Sequence, residues 1–143
     1  MVAAVLLALS FLLLAGASTN AVPIAQDSVR VVDGDTIDAH GKRVRLVGFD
    51  TPEPQALCEA ERILAARATA RLQQLVDGGG LDLSIVRCSC KPGTEGTDAC
   101  NRRRSCGTLT ARGRDVGVTL IGEGLAHRYQ CSWDRCPRRQ PWC

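Results

Sequence analysis

Val31-Val32-Asp33-Gly34-Asp35-Thr36, followed after a short turn by Arg43-Val44-Arg45-Leu46-Val47-Gly48-Phe49-Asp50-Thr51-Pro52-Glu53, is the stretch that decides how this chain folds. Apolar and polar residues alternate in it as they do in strands with one face on a core. His40-Gly41-Lys42 reads as a tight turn between the halves, and Pro52 with Pro54 stops the last run. Ser28 to Val32, Thr36 to Ala39 and Arg43 to Val47 therefore predict a three-stranded meander. Asp-Gly alone is a hairpin signal, and Asp50-Thr51-Pro52-Glu53 alone is a strand exit with Thr51 as a cap. Together they say more, because strands joined by a short turn lie side by side and bring Asp35 and Asp50 face to face. Two such carboxylates repel unless a cation sits between them.

Downstream, Leu57 to Val76 is rich in Ala, Leu, Arg and Glu, with Leu57, Ala60, Leu64, Ala68, Leu72 and Leu75 on one helical face. Asp77-Gly78-Gly79-Gly80 ends that helix. Leu81 to Arg87 alternates as a fourth strand, with Leu81, Leu83 and Ile85 on one side. Cys88 to Ser105 has no period and reads as an exposed, cysteine-stapled loop, and Cys106 to Ala111 is a fifth strand. Asp115 to Leu125 has apolar residues at helical spacing, with Asp115 placed as its cap. Three strands, a helix, two strands and a helix predict a mainly β, α+β domain: a five-stranded antiparallel barrel of OB type, order βββαββα, with a cysteine-rich loop and tail.

Residues 1–26 differ from the rest. Val2 to Ala17 is almost wholly apolar, no charged side chain precedes Asp27, and Ala15 and Ala17 are spaced as at a cleavage site. The expectation is a secretory signal cut after residue 17 or soon after, a domain over 27–130, and a cysteine-rich tail over 131–143. The competing reading, an uncleaved anchor, has against it an apolar run nearer 14 residues than the roughly 20 a bilayer span needs. All eight cysteines follow this leader, and an even count in an exported chain of 143 residues points to disulfides. A zinc site from Cys88, Cys90, Cys100 and Cys106 is the alternative, disfavoured by the Cys-x-Cys spacing. Secreted or periplasmic location follows, with no membrane association after cleavage.

The formal net charge is +3, concentrated in Arg102, Arg103, Arg104, Arg112 and Arg114 and in the tail at Arg128, Arg135, Arg138 and Arg139. Such clusters suit a polyanion or form an ordinary solvated surface. Oxygen ligands without a nearby histidine or thiolate favour Ca²⁺, with Mg²⁺ or Mn²⁺ as alternatives. Two acidic ligands predict weak affinity, roughly 10⁻⁴ to 10⁻³ M. His40 reads as a turn residue and His127 as a helix-end residue, which leaves a carboxylate as the available general base.

Val-Asp-Gly-Asp-Thr, Arg-Leu-Val-Gly-Phe-Asp-Thr-Pro-Glu, Gly-Arg-Asp-Val-Gly at 113–117 and Gly-Leu-Ala-His-Arg-Tyr at 124–129 give the chain a resemblance to the staphylococcal-nuclease-like family, from about Val29 to Tyr129. The resemblance implies an OB-fold, Ca²⁺-dependent phosphodiesterase acting on DNA and RNA and leaving 3′-phosphate ends. It implies metal carboxylates at Asp35 and Asp50, a metal-binding carbonyl at Thr51, a nearby acid at Asp33, a general base at Glu53 and a phosphate-clamping arginine at Arg45. For the second clamp, spacing to Gly113-Arg114-Asp115 selects Arg104, with Arg103 as the fallback. Here the chain departs from the family, with Arg102 where tyrosine is usual and Arg103 where glycine is usual, which matters if that position has positive φ.

The function expected is low-specificity hydrolysis of nucleic acid by a monomer with no stable protein partner. A non-catalytic OB-fold module that binds single strands through the 102–114 arginines is the alternative. Only 3% of the chain is aromatic, which weighs against it because such binders stack bases on aromatic faces. A disulfide-stapled domain with an unrelated ligand is the third reading.

Overall fold

The computed structural model describes residues 21–143, so the expected cleavage site and most of the leader lie outside the described residues. The chain forms β1 (Val22–Ile24), β2 (Val29–Asp33), β3 (Thr36–Ala39), β4 (Lys42–Leu46), β5 (Gly48–Asp50), α1 (Glu59–Asp77), β6 (Leu81–Val86), β7 (Ser105–Ala111), β8 (Arg114–Asp115), α2 (Val116–Gly122) and β9 (His127–Tyr129). It is an α+β protein built on a curled mixed sheet in the order β1-β6-β7-β4-β3-β2, with β8 beside β7 and a separate β5-β9 ladder.

The meander is present as read: β2 pairs β3 and β3 pairs β4, both antiparallel, with Thr36 opposite Arg45. The wholly antiparallel arrangement is corrected. β4 pairs β7 in parallel, because α1 and β6 carry the chain across before β7 enters from the same end. β6 then pairs β7 antiparallel over its full length.

Four strands, β1, β5, β8 and β9, lie beyond the five expected. Val22–Ile24, placed with the leader by composition, pairs β6 at the sheet edge. The run ending at Asp50 splits in two at Gly48, whose φ of +96° turns the chain out of the main sheet. The resulting β5 finds its partner in β9, so His127 is a strand residue opposite Asp50 rather than a helix end.

The core collects the inner faces of these elements: Ile37, Val44 and Leu46 from the meander, Leu72 and Val76 from α1, Leu109 from β7, and Val116 and Leu120 from α2. Full burial of each such side chain stabilises by about 1.5–3 kcal/mol. The α1 stripe is Ala65, Ala68, Leu72, Leu75 and Val76, with Leu64 half-buried. Leu57 is fully exposed and precedes the helix, and Ala60 faces solvent, so the expected face begins a turn too early. Ile85 is likewise exposed, because the end of β6 runs past the core.

All eight cysteines are paired, Cys58–Cys143, Cys88–Cys106, Cys90–Cys100 and Cys131–Cys136, which removes the zinc alternative. Among the described residues, no helix is long and apolar enough to cross a membrane.

Candidate active site

Asp35 sits in the two-residue turn between β2 and β3, and Asp50 ends β5. Both side chains are almost completely buried. They do not meet by lying on paired strands, since β5 has left the sheet; Arg45 of β4 joins them. Its guanidinium forms an ion pair with Asp35 Oδ1 through Nη1 and reaches Asp50 Oδ1 through Nη2 at 3.2 Å. Asp35 Oδ2 accepts from the Thr51 amide at 3.2 Å and from Thr51 Oγ1 at 3.0 Å. Thr36 Oγ1 donates to Asp35 Oδ1 at 3.1 Å, and the Asp35 amide donates to Asp33 Oδ1 at 3.1 Å. Asp33 thus shapes the turn from just outside the carboxylate pair.

Two packing features hold this geometry. A Cβ on Gly34 would stand 2.8 Å from Thr51 Oγ1 and 2.9 Å from Ala68 Cβ, so the turn is pressed directly onto Thr51 and α1. The ring of Phe49 fills the space where a Gly117 side chain would be, 2.3 Å from that Cβ position, which ties β5 to α2.

Burial pushes the Asp35 carboxyl up to about 6, against the pull of Arg45 and the Thr51 hydrogen bonds. Arg45 divides one positive charge between two buried carboxylates, so neither is fully compensated by it. The remaining charge comes from the tail. Arg139 Nε lies 2.9 Å from Asp50 Oδ2, its Nη2 donates to the Thr51 carbonyl at 3.2 Å, and its Nη1 lies 3.0 Å from Glu53 Oε1. Burial acts against the Arg139 charge, but the hydrogen bond to Asp50 and the charges of Asp50 and Glu53 win and raise its pKa. Glu53 itself is half-exposed at the rim, its amide held by Glu61 Oε1 of α1 at 3.0 Å.

Arg104 approaches from the other side. Asn101, Arg102 and Arg103 form a short left-handed turn with φ of 52°, 54° and 61°. The position expected to carry glycine thus has positive φ with arginine in it, at a cost of about 1–3 kcal/mol per strained residue. The flanking Cys90–Cys100 and Cys88–Cys106 bonds and the Arg103 amide on the Cys100 carbonyl at 3.1 Å hold the turn. Arg104 leaves it extended, and its guanidinium donates to the Asn101 carbonyl at 3.0 Å and to Asn101 Oδ1 at 2.8 Å. Burial, then the charge of Arg45, lowers the Arg104 pKa, while Asp35 and Asp33 oppose the shift. Arg103 instead pairs with Asp98 on the surface at 3.0 Å. Arg102, Arg103 and Arg104 line an open cleft of about 600 Å³ with Asp33, Thr36 and Arg43.

Asp35, Asp50, Thr51, Arg45 and Glu53 are therefore brought together around one spot, with Arg104 on the adjoining cleft. Asn101 and Arg139 were not singled out by sequence for this place. Arg139 had only its membership of a basic tail to mark it, and it lies 89 residues from Asp50.

The two carboxylates and the Thr51 carbonyl form an all-oxygen donor set directed at guanidinium groups, which suits a hard divalent cation. Among the described residues, the one cluster of three acidic or cysteine ligands within 4.8 Å of one another is Cys58, Glu61 and Cys143. Its two sulfurs are bonded to each other, so it offers no thiolate. No family model matches the chain, and no curated protein matches it.

Proposed function

We propose that this chain is an exported, Ca²⁺-dependent nuclease of the staphylococcal-nuclease-like type, hydrolysing phosphodiester bonds of DNA or RNA with little sequence preference. The observation that carries the reading is Arg45 held between two buried carboxylates beside the Thr51 carbonyl, with Glu53 at the open rim. The strand order β2-β3-β4-β7-β6 with its one parallel pair supports an OB-type barrel underneath. Four disulfides support an oxidising destination, secreted or periplasmic.

In this reading Asp35, Asp50 and the Thr51 carbonyl hold Ca²⁺, with Mg²⁺ or Mn²⁺ as alternatives. Bound there, the ion supplies positive charge to phosphoryl oxygens. Glu53 takes a proton from a water whose oxygen bonds to phosphorus, and the P–O5′ bond breaks, O5′ taking a proton from solvent water, to leave a 3′-phosphate and a 5′-hydroxyl. Arg45 and Arg104 meet the charge that develops on the phosphoryl oxygens; their planar forks stay protonated at neutral pH. Phosphate recognition without base contacts makes the activity tolerant of sequence.

Incubation of the oxidised chain with DNA and with RNA, in Ca²⁺ and in chelator, tests the proposal. Cleavage confined to the Ca²⁺ samples is the expected result, and its absence in folded protein removes the reading. Glu53→Gln separates an enzyme from a binding module: an enzyme loses most turnover and keeps its affinity for nucleic acid, whereas a pure binder is unchanged.

A further inference from the structure

Resting on that reading, we propose that the C-terminal tail is an inhibitory strap in which Arg139 occupies the cation position and must leave before a divalent ion can bind. The contacts of its guanidinium are to Asp50 Oδ2 at 2.9 Å, the Thr51 carbonyl at 3.2 Å and Glu53 Oε1 at 3.0 Å. Two of these oxygens belong to the cation set and the third to the proposed base. One side chain therefore blocks both the metal and the water-activating group.

The tail is built to hold Arg139 there. Cys131–Cys136 closes a small loop before it, and Cys143 is bonded to Cys58, just ahead of α1. Between them the Trp142 ring stacks on His127, with centroids 3.7 Å apart and planes 6° from parallel. His127 is the ladder partner of Asp50, so the stacked pair anchors the tail beside the carboxylate that Arg139 engages.

The energetic consequence is competition. A cation entering the site displaces a charge-assisted hydrogen bond to Asp50 and one to the Thr51 carbonyl, so the measured affinity is the intrinsic one reduced by the fraction of open molecules. Arg139 is 42% exposed, which weakens its hold through solvent screening and makes displacement feasible. The Cys58–Cys143 bond limits how far the strap can swing away.

Calorimetric titration of the oxidised full chain with Ca²⁺ alone tests this, comparing wild type, Arg139→Gln and a Cys58→Ser/Cys143→Ser double variant. Thermal midpoints with and without Ca²⁺ form a second readout. Arg139→Gln should bind Ca²⁺ roughly tenfold more tightly, the worth of losing about one net charge-assisted hydrogen bond. It should also melt lower than wild type without the ion and gain more on adding it. The double variant keeps Arg139 and should shift affinity the same way by a smaller factor, which preserves the test if Arg139→Gln does not fold. Equal or weaker Ca²⁺ affinity in the variants, with binding measurable in all, overturns the strap and leaves the nuclease reading standing. No Ca²⁺ binding in any folded variant overturns the cation site and the strap together.

Discussion

Gly34 leaves no room for a side chain against Thr51: a Cβ there would lie 2.8 Å from Thr51 Oγ1 and 2.9 Å from Thr51 Cβ. The glycine is thus selected by close approach, and its φ is ordinary. Pressing the β2–β3 turn onto Thr51 is what lets Asp35 Oδ2 reach both the amide and the hydroxyl of that residue. Gly34→Ala should push the turn away from Thr51 and α1, destabilising the protein by about 1–3 kcal/mol as overpacking of a close-packed site does. Urea denaturation measures the loss. Ca²⁺ titration should show weaker binding as well, since Asp35 and the Thr51 carbonyl would no longer share one geometry. Unchanged stability in Gly34→Ala would show that the turn relaxes freely.

Arg45 is the only side chain that contacts both buried carboxylates among the described residues. Its removal leaves Asp35 with hydroxyl and amide donors but no cation, and leaves Asp50 to Arg139 alone. Breaking a buried charge pair from one side costs about 3–5 kcal/mol. Arg45→Met should therefore lower the urea midpoint sharply at pH 7, and Ca²⁺ should restore part of the loss by replacing the missing charge. Arg45→Lys should keep more stability, yet a single ammonium cannot bridge two carboxylates as the guanidinium fork does. On the proposed reading, its nuclease activity should stay well below wild type even where its stability is close.

The parts of the fold legible in the sequence were those with a period long enough to count. Alternation over β2 to β4 and the Asp115 cap of α2, whose Oδ1 accepts from the Val118 amide at 3.0 Å, are local signals and correspond to what the chain forms. β5 and β9 carry three residues each, too few for any period, and their pairing depends on Gly48 turning the chain and on α2 returning it. Leu57 and Ile85 fit a pattern in sequence but extend past the region the core covers. At the site, Asp35, Arg45, Asp50, Thr51 and Glu53 are close in sequence and could be read as a group. Arg139 could not, because its place depends on disulfide pairing, which spacing does not determine.

Acid should weaken the meander through Asp38. Hydrogen bonds from Arg43, and then from Arg30, hold its carboxyl below the usual range. A carboxyl whose folded pKa lies below its unfolded value stabilises fully above the unfolded value, near 4, and loses that contribution as the pH falls through the folded one. Urea midpoints recorded from pH 7 down to pH 3 should therefore fall less steeply in Asp38→Asn than in wild type, with the difference confined to the region below about pH 4. The pairs are exposed, so the effect should also shrink in high salt. A stability difference between the two proteins that stays the same from pH 7 to pH 3 would point to packing at Asp38 instead of its charge.

Arg104 and Arg103 are neighbours whose side chains do different things. Arg104 is half-buried, fastened by two hydrogen bonds to Asn101, and its pKa is lowered by that burial and then by the charge of Arg45. Arg103 faces Asp98 at the surface and has a left-handed backbone that a glycine would adopt without strain. Arg104→Ala should thus cost on the order of 10² to 10³ in kcat, as loss of a transition-state donor does, with little change in nucleic-acid affinity. Arg103→Gly should relieve backbone strain and give up an exposed ion pair, leaving kcat near wild type and stability unchanged or slightly higher. Asn101→Ala is the informative third variant. It removes one Oδ1 acceptor from Arg104 without touching a charge, so kcat should fall by less than in Arg104→Ala while KM stays constant. A loss of activity in Arg103→Gly that exceeds the loss in Arg104→Ala would exchange the two assignments, and would mean that the Asp98 pair opens when substrate binds.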